Sequence, residues 1–476
     1  MADKRKAKPK KSAKPSAKRL GNPPLTAAAI IAAVVLAAGI VTIGVMNLFC
    51  TDALYTSYTA AADAISVIEG LIVLAAVVSA LYGLYRLSAV KKGLTAVMVL
   101  AFILRVLSAL FWKIEPQSDF LITLRLSRLL ADNPVSDWAA LLAREHTIYT
   151  DHWAAHMPFI IWQSLILRVI PLDAAGIRLI NALISWLTAL LTAQCAKRLY
   201  SKNAERLTWV FMGLNPTIIF FIPVLTNQHI SCFLVCAAAA VYFSRMKPTV
   251  KALCVGALIG LSQLMRPELT PLMLAALLCL VVNVVRKKDA KTRILRFIAG
   301  AALCLSVIFA ANTAITNAGL TQRSIYSGNL KYKIAVGLNR DSAGTWTAAD
   351  STLIYDDAAL NAAIKERVQK PWRLVPMLFG KAAFQFGTYA YTWSFNERHG
   401  IISQLFMRRF GQALMCAVCA MAVAALVSRR KEELMPVYFA LAVYAAAYAV
   451  IEVQNRYNFL FIPFLVLIAV GMAEKK

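Results

Sequence analysis

One carboxylate and three cations occupy positions in this chain where charged side chains are costly. Asp119 follows the apolar run 101–112 and opens an amphipathic stretch, which predicts a carboxylate held at a membrane surface. Arg266 lies in the turn QLMRPEL, Arg456 in IEVQNRYNFLFIPF and Lys381 in the apolar segment LVPMLFGKAAFQF. A carboxylate can serve as a general base, and guanidinium groups bind phosphate through paired hydrogen bonds. These residue types therefore suit a phosphate-bearing substrate.

The same residues also have plainer structural interpretations. Asp119 fits a first-turn helix residue that the helix dipole favours. Arg456 could pair with Glu452 one turn earlier, and Arg266 with the nearby Glu268. Lys381 could extend its ammonium group from an interfacial helix to water. Residue types alone leave both interpretations open.

Two further polar features stand in or beside apolar segments. Arg105 lies in the middle of an apolar span, where an ionisable group needs a partner or a cavity. Asp151, His152 and His156 form a cluster in YTDHWAAHMPF. On a helix the two histidines would share one face, as zinc ligands do, but without a fixed third ligand they are a weak metal signal. We therefore predict no cofactor, and the sequence does not support a divalent metal.

The composition is that of a membrane protein. Of 476 residues, 59% are hydrophobic and 16% charged, whereas soluble domains have about 45–50% and about 25%. Several apolar runs exceed the roughly 18–20 residues that cross a bilayer. The formal charge of +27 does not indicate nucleic acid, because it is concentrated in the first nineteen residues and in the gaps between apolar runs. All nine cysteines, including the Cys416–Cys419 CxxC pair, fall in or at the end of apolar segments, so we expect packing and no disulfide framework.

Basic connections mark the cytoplasmic side of a membrane, and they give an all-α polytopic helical bundle with both termini in the cytoplasm. The Lys-rich tail 1–24 should be disordered and could contact anionic lipid headgroups. Two additional helices occupy 25–93, and the main membrane domain occupies 94–473. About twelve spans are predicted, at 25–48, 63–85, 94–112, 177–196, 206–223, 228–244, 251–265, 268–285, 294–316, 404–427, 434–451 and 456–473.

Two large outer loops, 113–176 and 317–403, separate these spans. Within them, 159–170 and 374–393 begin and end outside, so we predict helices that lie in the membrane interface. The segments 118–130 and 137–149 have the pattern of two more amphipathic helices. Ser118 and Ser136 stand where N-cap residues would be expected.

The order of these motifs resembles the GT-C membrane glycosyltransferases of the protein-mannosyltransferase family, family 39. The similarity is strongest to bacterial members that use polyprenyl-phosphate sugars. It is carried by AFILR followed by Asp119, HMPF, GLNPTIIFFIPVLTNQ, GLNRDSAGTWTAADS with KPWRLVPMLFGKAAFQF, and VQNRYNFLFIPF, which together cover about residues 94–473.

The resemblance implies an inverting sugar transfer at the outer face of the cytoplasmic membrane. Asp119 would be the general base for an acceptor hydroxyl, and polyprenyl phosphate would leave. Arg266, Arg456 and Lys381 would bind the donor phosphate, Tyr457 and Trp346 would line the substrates, and Arg105 would orient Asp119. Asp151, His152, His156 and Glu452 would support the site. The acceptor, whether protein, polymer or lipid, stays open.

This chain departs from the family pattern at two places. Phe120 stands where many relatives have a second acidic residue, and Asn227-Gln228-His229 replaces a carboxylate in the turn after the Asn-Pro helix. Both changes weaken the case for a bound metal. Two other functions stay open: a transporter or flippase of a polyprenyl-linked glycan, and a polymerase or ligase of cell-surface glycans. A transporter usually has discontinuous helices in corresponding halves, and no such symmetry is visible here.

Overall fold

Apolar helices long enough to cross a membrane make up most of this protein. The computed structural model describes residues 24–49, 64–112, 114–145, 147–267, 269–286, 289–326, 329–369, 371–387 and 401–474. Within these ranges nine helices have the length and composition of membrane spans, and no strand occurs. The expected all-α polytopic class is therefore confirmed. Residues 1–23 of the basic tail, Glu268 and the end of the segment 374–393 lie outside the described residues.

The long helices follow the predicted spans closely. They are α1 (Pro24–Phe49), α2 (Ala64–Ala89), α3 (Gly93–Phe111), α8 (Ala174–Leu199), α12 (Pro248–Met265), α14 (Ala290–Asn317), α18 (Ile401–Ser428), α19 (Met435–Val450) and the closing segment, a 3-10 turn (Asn455–Leu460) followed by α20 (Phe461–Ala469) and a second 3-10 turn (Val470–Ala473). The predicted spans 228–244 and 268–285 are the shorter helices α11 (Gln228–Tyr242) and α13 (Leu269–Arg286).

The predicted span 206–223 is a broken helix rather than a continuous one. It consists of α9 (Lys202–Thr208), a π-helical turn (Trp209–Gly213) and α10 (Pro216–Phe221). Proline has no backbone N–H and therefore interrupts a helix. Asn215 begins the new helix, because its side-chain oxygen accepts a hydrogen bond from the Thr217 backbone nitrogen at 2.9 Å.

Arg105 holds this break together. Its fully buried guanidinium donates to the backbone oxygen of Met212 at 2.8 Å, to that of Gly213, and to Ser185 Oγ at 3.1 Å. The last carbonyls of a helical turn have no partner within the helix and carry partial negative charge. Arg105 therefore joins α3, α8 and the π-helical turn inside the bundle. None of its described hydrogen bonds reaches Asp119, so its predicted orienting role gains no support from this geometry.

The first outer loop begins with α4 (Asp119–Asp132), as predicted for 118–130, and ends with α7 (Met157–Val169), which matches 159–170. The predicted helix 137–149 is shorter, because α5 (Trp138–Arg144) ends at Arg144. A second short helix, α6 (Ile148–Asp151), follows, and in it Thr150 Oγ1 donates to the Thr147 backbone oxygen at 2.9 Å. Ser118 precedes α4 with φ 49° but makes no side-chain cap, and Ser136 lies within a 3-10 turn (Val135–Asp137).

The second outer loop contains α15 (Leu330–Gly337), a 3-10 turn (Ala348–Ile354), α16 (Asp357–Val368) and α17 (Leu374–Gly387). Backbone hydrogen bonds attach it to the segment after α19: the Glu452 nitrogen donates to the Lys333 oxygen at 2.8 Å, and the Val453 nitrogen to the Gly344 oxygen at 3.0 Å. Gly337 makes this approach possible, because a Cβ there would collide with the backbone of residues 450–452. The loop thereby fixes the start of the closing segment.

The two ends of the bundle differ in their chemistry. One end carries both large loops. At the other, Lys431 donates to the Leu199 backbone oxygen at 2.6 Å and pairs with Glu474 at 2.8 Å. Cys416 and Cys419 are buried between these ends, where Cys416 faces α1. The helix α1 packs directly on α18 and α19, so the amino-terminal helices form part of the same bundle.

Substitution of Arg105 should destabilise the fold rather than change the chemistry. Arg105→Met leaves the Met212 and Gly213 oxygens without their donor, and each buried unpaired acceptor costs about 1–3 kcal/mol. We expect a lower unfolding temperature of the purified protein in detergent. Ser185→Ala, which removes one of these hydrogen bonds, should have a smaller effect. A variant Arg105→Met that keeps its unfolding temperature but loses activity would instead support a role in orienting Asp119.

Candidate active site

An ion pair between Asp119 and Arg456 joins the first outer loop to the closing segment. Arg456 Nη2 lies 3.2 Å from Asp119 Oδ2, although the residues are 337 positions apart in sequence. The Asp119 side chain is 37% exposed and that of Arg456 only 9%. The simple alternative pairing of Arg456 with Glu452 is not found, because Glu452 pairs with Lys333. The carboxylate therefore faces water while its partner is buried behind it.

Aromatic rings hold the two arginines of this site. The Arg456 guanidinium lies over the ring of Phe120 at 4.7 Å and near the ring of Tyr457 at 5.9 Å. Arg266 lies over the Tyr457 ring at 4.7 Å, and its Nη1 donates to Asn227 Oδ1 at 3.2 Å. Cation–π contacts of this kind orient a guanidinium without neutralising it. Two positive charges are thus held around one tyrosine ring, beside the carboxylate.

Each of these side chains lies at the end of a helix. Asp119 is the first residue of α4, Arg266 follows the last residue of α12, and Arg456 belongs to the 3-10 turn before α20. Pro267 cannot continue α12, and the chain between α19 and α20 leaves helical geometry at Ile451. Charged side chains at helix ends reach the water-facing side of an apolar bundle, which is why three distant segments can meet there.

The surroundings of Asp119 keep it ionised. Burial acts to raise the pKa of the Asp119 carboxyl, but the charge of Arg456 and the hydroxyl of Tyr149 outweigh this effect and lower the pKa below its usual value. Burial lowers the pKa of His156 to about 4, so that its imidazole is neutral at pH 7. The His156 ring stands edge-on to Tyr149, with ring centres 4.8 Å apart. An ionised carboxylate beside buried neutral groups is a suitable proton acceptor.

Lys333 and Tyr149 are site residues that the sequence analysis missed. Lys333 pairs with Glu452, which is 1% exposed, and its ammonium lies 5.1 Å from the centre of the Trp153 ring. The charges of Glu452 and Asp119 help to raise the pKa of Lys333 against the opposing effect of burial. Tyr149 is the first residue of YTDHWAAHMPF, in which only Asp151, His152 and His156 were singled out. For Lys333 the available signal was the change from an apolar span to the polar sequence around NLKYKIAVG.

Lys381 lies away from the arginines, although it was predicted to bind donor phosphate. Its ammonium is 3% exposed and donates to three backbone oxygens, those of Gly337 at 2.8 Å, Ala449 at 3.1 Å and Ile451 at 2.7 Å. An ammonium has three donors, and all three are used here. Lys381 therefore fastens α17 and the second outer loop to the end of α19, and we leave it out of the phosphate site proposed below.

The predicted supporting residues His152, His156 and Trp346 contact other side chains of the two outer loops. His152 and His156 do not share a helix face, because α6 ends at Asp151; His152 stands edge-on to Tyr355 at 4.9 Å. The side chain of Asp151 lies outside the described part of the chain. Trp346 donates through Nε1 to Tyr332 Oη at 3.0 Å. Among the described residues, no group of three or more His, Cys, Asp or Glu side chains is arranged to hold a metal ion.

Comparison with known proteins agrees with this architecture. Residues 155–312, about a third of the chain, match the family model described as dolichyl-phosphate-mannose-protein mannosyltransferase. The matched segment contains His156 and Arg266, whereas Asp119 and Arg456 lie on either side of it. A search among curated proteins found no match. Together with the nine apolar helices, the family match supports a multi-pass membrane glycosyltransferase of the mannosyltransferase type, and it confirms the resemblance to GT-C family 39.

Replacement of Lys381 should separate anchoring from substrate binding. Lys381→Met leaves three buried carbonyls without a donor, so the purified protein should unfold at a lower temperature. The protein that remains folded should keep its KM for the polyprenyl-phosphate sugar that the sequence predicts as donor, because the ammonium donates its hydrogen bonds to backbone oxygens. Lys331→Met, which changes an exposed lysine of the same loop, is the matched control. A selective rise in donor KM with unchanged stability would restore Lys381 to the phosphate site.

Proposed function

We propose that this protein is an inverting glycosyltransferase that moves a sugar from a polyprenyl-phosphate donor to an acceptor hydroxyl at the outer face of the cytoplasmic membrane. The observation that carries the proposal is the contact of Asp119 with Arg456, 3.2 Å apart. It combines a water-facing base with a buried guanidinium. With Arg266 over the ring of Tyr457 at 4.7 Å, the site has one proton acceptor and two groups that can bind phosphate.

The proposed reaction assigns each of these residues one task. Asp119 takes the proton of the acceptor hydroxyl as the oxygen attacks the anomeric carbon of the donor. A new C–O bond forms on one face of the sugar, and the bond to the phosphate oxygen breaks on the other, so the configuration inverts. Arg456 and Arg266 stabilise the negative charge that accumulates on the leaving phosphate. The polyprenyl chain stays in the bilayer throughout.

The ion pair also couples donor binding to activation of the base. A donor phosphate competes with Asp119 for the Arg456 guanidinium, because phosphate and carboxylate are both bidentate acceptors for arginine. When Arg456 turns to the phosphate, Asp119 loses its strongest favourable charge and its pKa rises towards the ordinary range. The carboxylate therefore becomes a stronger base only after the donor has bound. Without donor it is a weaker base towards the acceptor hydroxyl.

The outer-face location is supported by the distribution of charge. The large loops that contain Asp119 and Lys333 lie at one end of the bundle, and the basic connections that precede and follow the spans lie at the other. Basic connections favour the cytoplasm. A donor presented at the outer face, opposite the basic connections, would therefore lie at the same end of the bundle as the Asp119–Arg456 ion pair.

Loss of the base should abolish transfer while the fold persists. We expect Asp119→Asn to lower kcat by about 10²–10⁴-fold, the usual contribution of a general base. Asparagine preserves the volume and can still accept a hydrogen bond from Arg456. The measurement is acceptor-dependent release of polyprenyl phosphate from polyprenyl-phosphate mannose by purified protein.

Asp137→Asn is the matched control, because Asp137 is an exposed carboxylate of the same loop. Release that Asp119→Asn leaves unchanged would place the base elsewhere, with Asp151 the next residue to test. If no donor is turned over but lipid-linked sugar crosses the membrane of reconstituted vesicles, the transporter interpretation would replace this one. Turnover that requires a glycan-lipid donor would favour the polymerase or ligase.

Removal of the Arg456 charge should change the pH dependence of catalysis. Asp119 works when ionised, so activity falls as the pH drops through its pKa. Arg456 lowers that pKa; hence Arg456→Gln should move the acid limb of kcat/KM to higher pH. It should also reduce kcat by about 10²–10³-fold through lost phosphate stabilisation.

The pH profile should be measured beside Arg125→Gln, which removes an exposed loop arginine that pairs with Glu145. Arg125→Gln should keep the wild-type profile. An acid limb that stays in place in Arg456→Gln would mean that another group is the base, or that the ion pair is absent from the working enzyme.

A further inference from the structure

We propose that the exposed rings of Trp346 and Tyr355 form a saccharide-binding surface, so that the acceptor of the proposed transfer is itself a glycan. The acceptor role rests on the function proposed above, but the binding surface does not. We call the four rings of Tyr149, Trp153, Tyr332 and Trp346 the aromatic wall. Its buried rings join the two outer loops, and Trp346 at its end is open to water.

Successive contacts connect the members of the wall. Tyr149, whose hydroxyl influences Asp119, packs against Trp153 with ring centres 5.5 Å apart. Trp153 and Tyr332 follow at 6.3 Å, and Trp346 Nε1 donates to Tyr332 Oη at 3.0 Å. Tyr149 and Trp153 come from the first outer loop and the other two from the second. The continuous path therefore crosses from one loop to the other.

Exposure increases along this path. Tyr149 is 0% and Tyr332 3% exposed, whereas Trp346 is 51% exposed. Tyr355, which stands edge-on to His152 at 4.9 Å, is 67% exposed and adds a second open ring beside the wall. A ligand that covers an exposed aromatic ring removes apolar surface from water, and this burial contributes favourable free energy to binding. Trp346 is joined through Tyr332 and Trp153 to Tyr149, whose hydroxyl influences Asp119, so the surface belongs to the same part of the two loops as the carboxylate.

The chemistry of the wall suits a sugar. A pyranose ring has a face of C–H groups and an edge of hydroxyl groups. The electron-rich face of an aromatic ring attracts the C–H face, while polar groups at the ring edges can bind hydroxyls. Here the His152 imidazole stands edge-on to the exposed Tyr355 ring, and Asn329 Nδ2 is bonded to the His152 backbone oxygen at 3.5 Å.

The surroundings argue against a lipid or an extended peptide as the occupant. Tyr355 is followed directly by α16, which carries Asp357, Lys365, Glu366 and Arg367 in twelve residues. A helix with this charge content belongs in water and not in the membrane interface. Extended peptides often bind by adding a strand to a sheet edge, and the described ranges of this chain contain no strand.

Saturation-transfer NMR on the full-length protein in lipid nanodiscs tests the surface without requiring turnover. The probes are mannobiose and mannotriose, with a Ser/Thr-rich hexapeptide as the competing class. We expect saturation of sugar C–H protons, and weaker affinity by about 3–10-fold in Trp346→Ala and in Tyr355→Ala, the range of one aromatic contact. Tyr332→Phe, which removes only the hydroxyl that holds the indole, should cause a smaller loss.

Trp372→Ala is the matched control, since Trp372 is a 67% exposed tryptophan of the same loop that is not part of the wall. Saccharide affinity that is equal in wild type, Trp346→Ala and Tyr355→Ala would overturn the proposal. Binding of the hexapeptide in place of the sugars, with the same sensitivity to substitution, would assign the surface to a protein acceptor. Saturation transfer to lipid acyl chains instead of the sugars would assign the rings to the membrane interface.

Asp119→Asn separates this inference from the proposed function. The variant should lose transfer and keep saccharide binding. If wild-type protein binds the sugars through Trp346 and Tyr355 but releases no polyprenyl phosphate from any donor, the surface stands and the proposed donor chemistry fails. If transfer occurs and the sugars do not bind, the enzyme stands and the aromatic wall has no role in acceptor recognition.

Discussion

The candidate site depends on the ion pair of Asp119 with Arg456, because the buried Arg456 charge needs a partner and Asp119 supplies it. Arg456 is 9% exposed in side chain, and an unpaired charge at that depth would cost several kcal/mol. To form the pair, the start of α4 must meet the segment after α19, 337 residues away. The loops, the broken helix and the anchors Arg105 and Lys381 all serve to bring these two segments together. In the proposed reaction the pair must still be exchangeable, since the donor phosphate would displace the carboxylate from Arg456.

Phe120 occupies the position at which the resemblance predicts a second acidic residue. Its ring lies 4.7 Å from the Arg456 guanidinium, so the position next to Asp119 supports the arginine without competing for its charge. A second carboxylate would neutralise Arg456 and weaken its attraction for phosphate. Tyr457 contacts both Arg266 and Arg456 in a similar way, because the face of an aromatic ring attracts a cation. In the proposed reaction this arrangement would leave net positive charge for the donor.

Much of this could be predicted from the sequence, and the exceptions have physical causes. The length and apolar composition of the spans predicted the long helices, because a helix that crosses a bilayer needs about 20 mainly apolar residues. Asp119, Arg266 and Arg456 could be singled out because charges are rare at such positions. Lys381 could not be distinguished from a phosphate ligand, since the carbonyls that bind it belong to residues 337, 449 and 451. Tyr149 and Lys333 lie in polar segments that could be noticed in the sequence, but only the tertiary fold shows that they are near Asp119.

Weak ligands such as sugars require rigid binding surfaces, and the second outer loop has an internal network that provides this rigidity. Asp350 is 1% exposed and pairs with Arg367 at 2.9 Å, while Asn339 and Thr347 bind its other oxygen at 3.2 and 2.7 Å. Breaking such a buried network is costly, so it opposes rearrangement of the loop. The network flanks Trp346 in sequence and holds the 3-10 turn that precedes Tyr355. Rings fixed before a ligand arrives lose less conformational entropy on binding. The Asp350 network and the apolar cluster of Tyr332, Val336 and Leu360 would therefore favour the proposed recognition of a sugar by Trp346 and Tyr355.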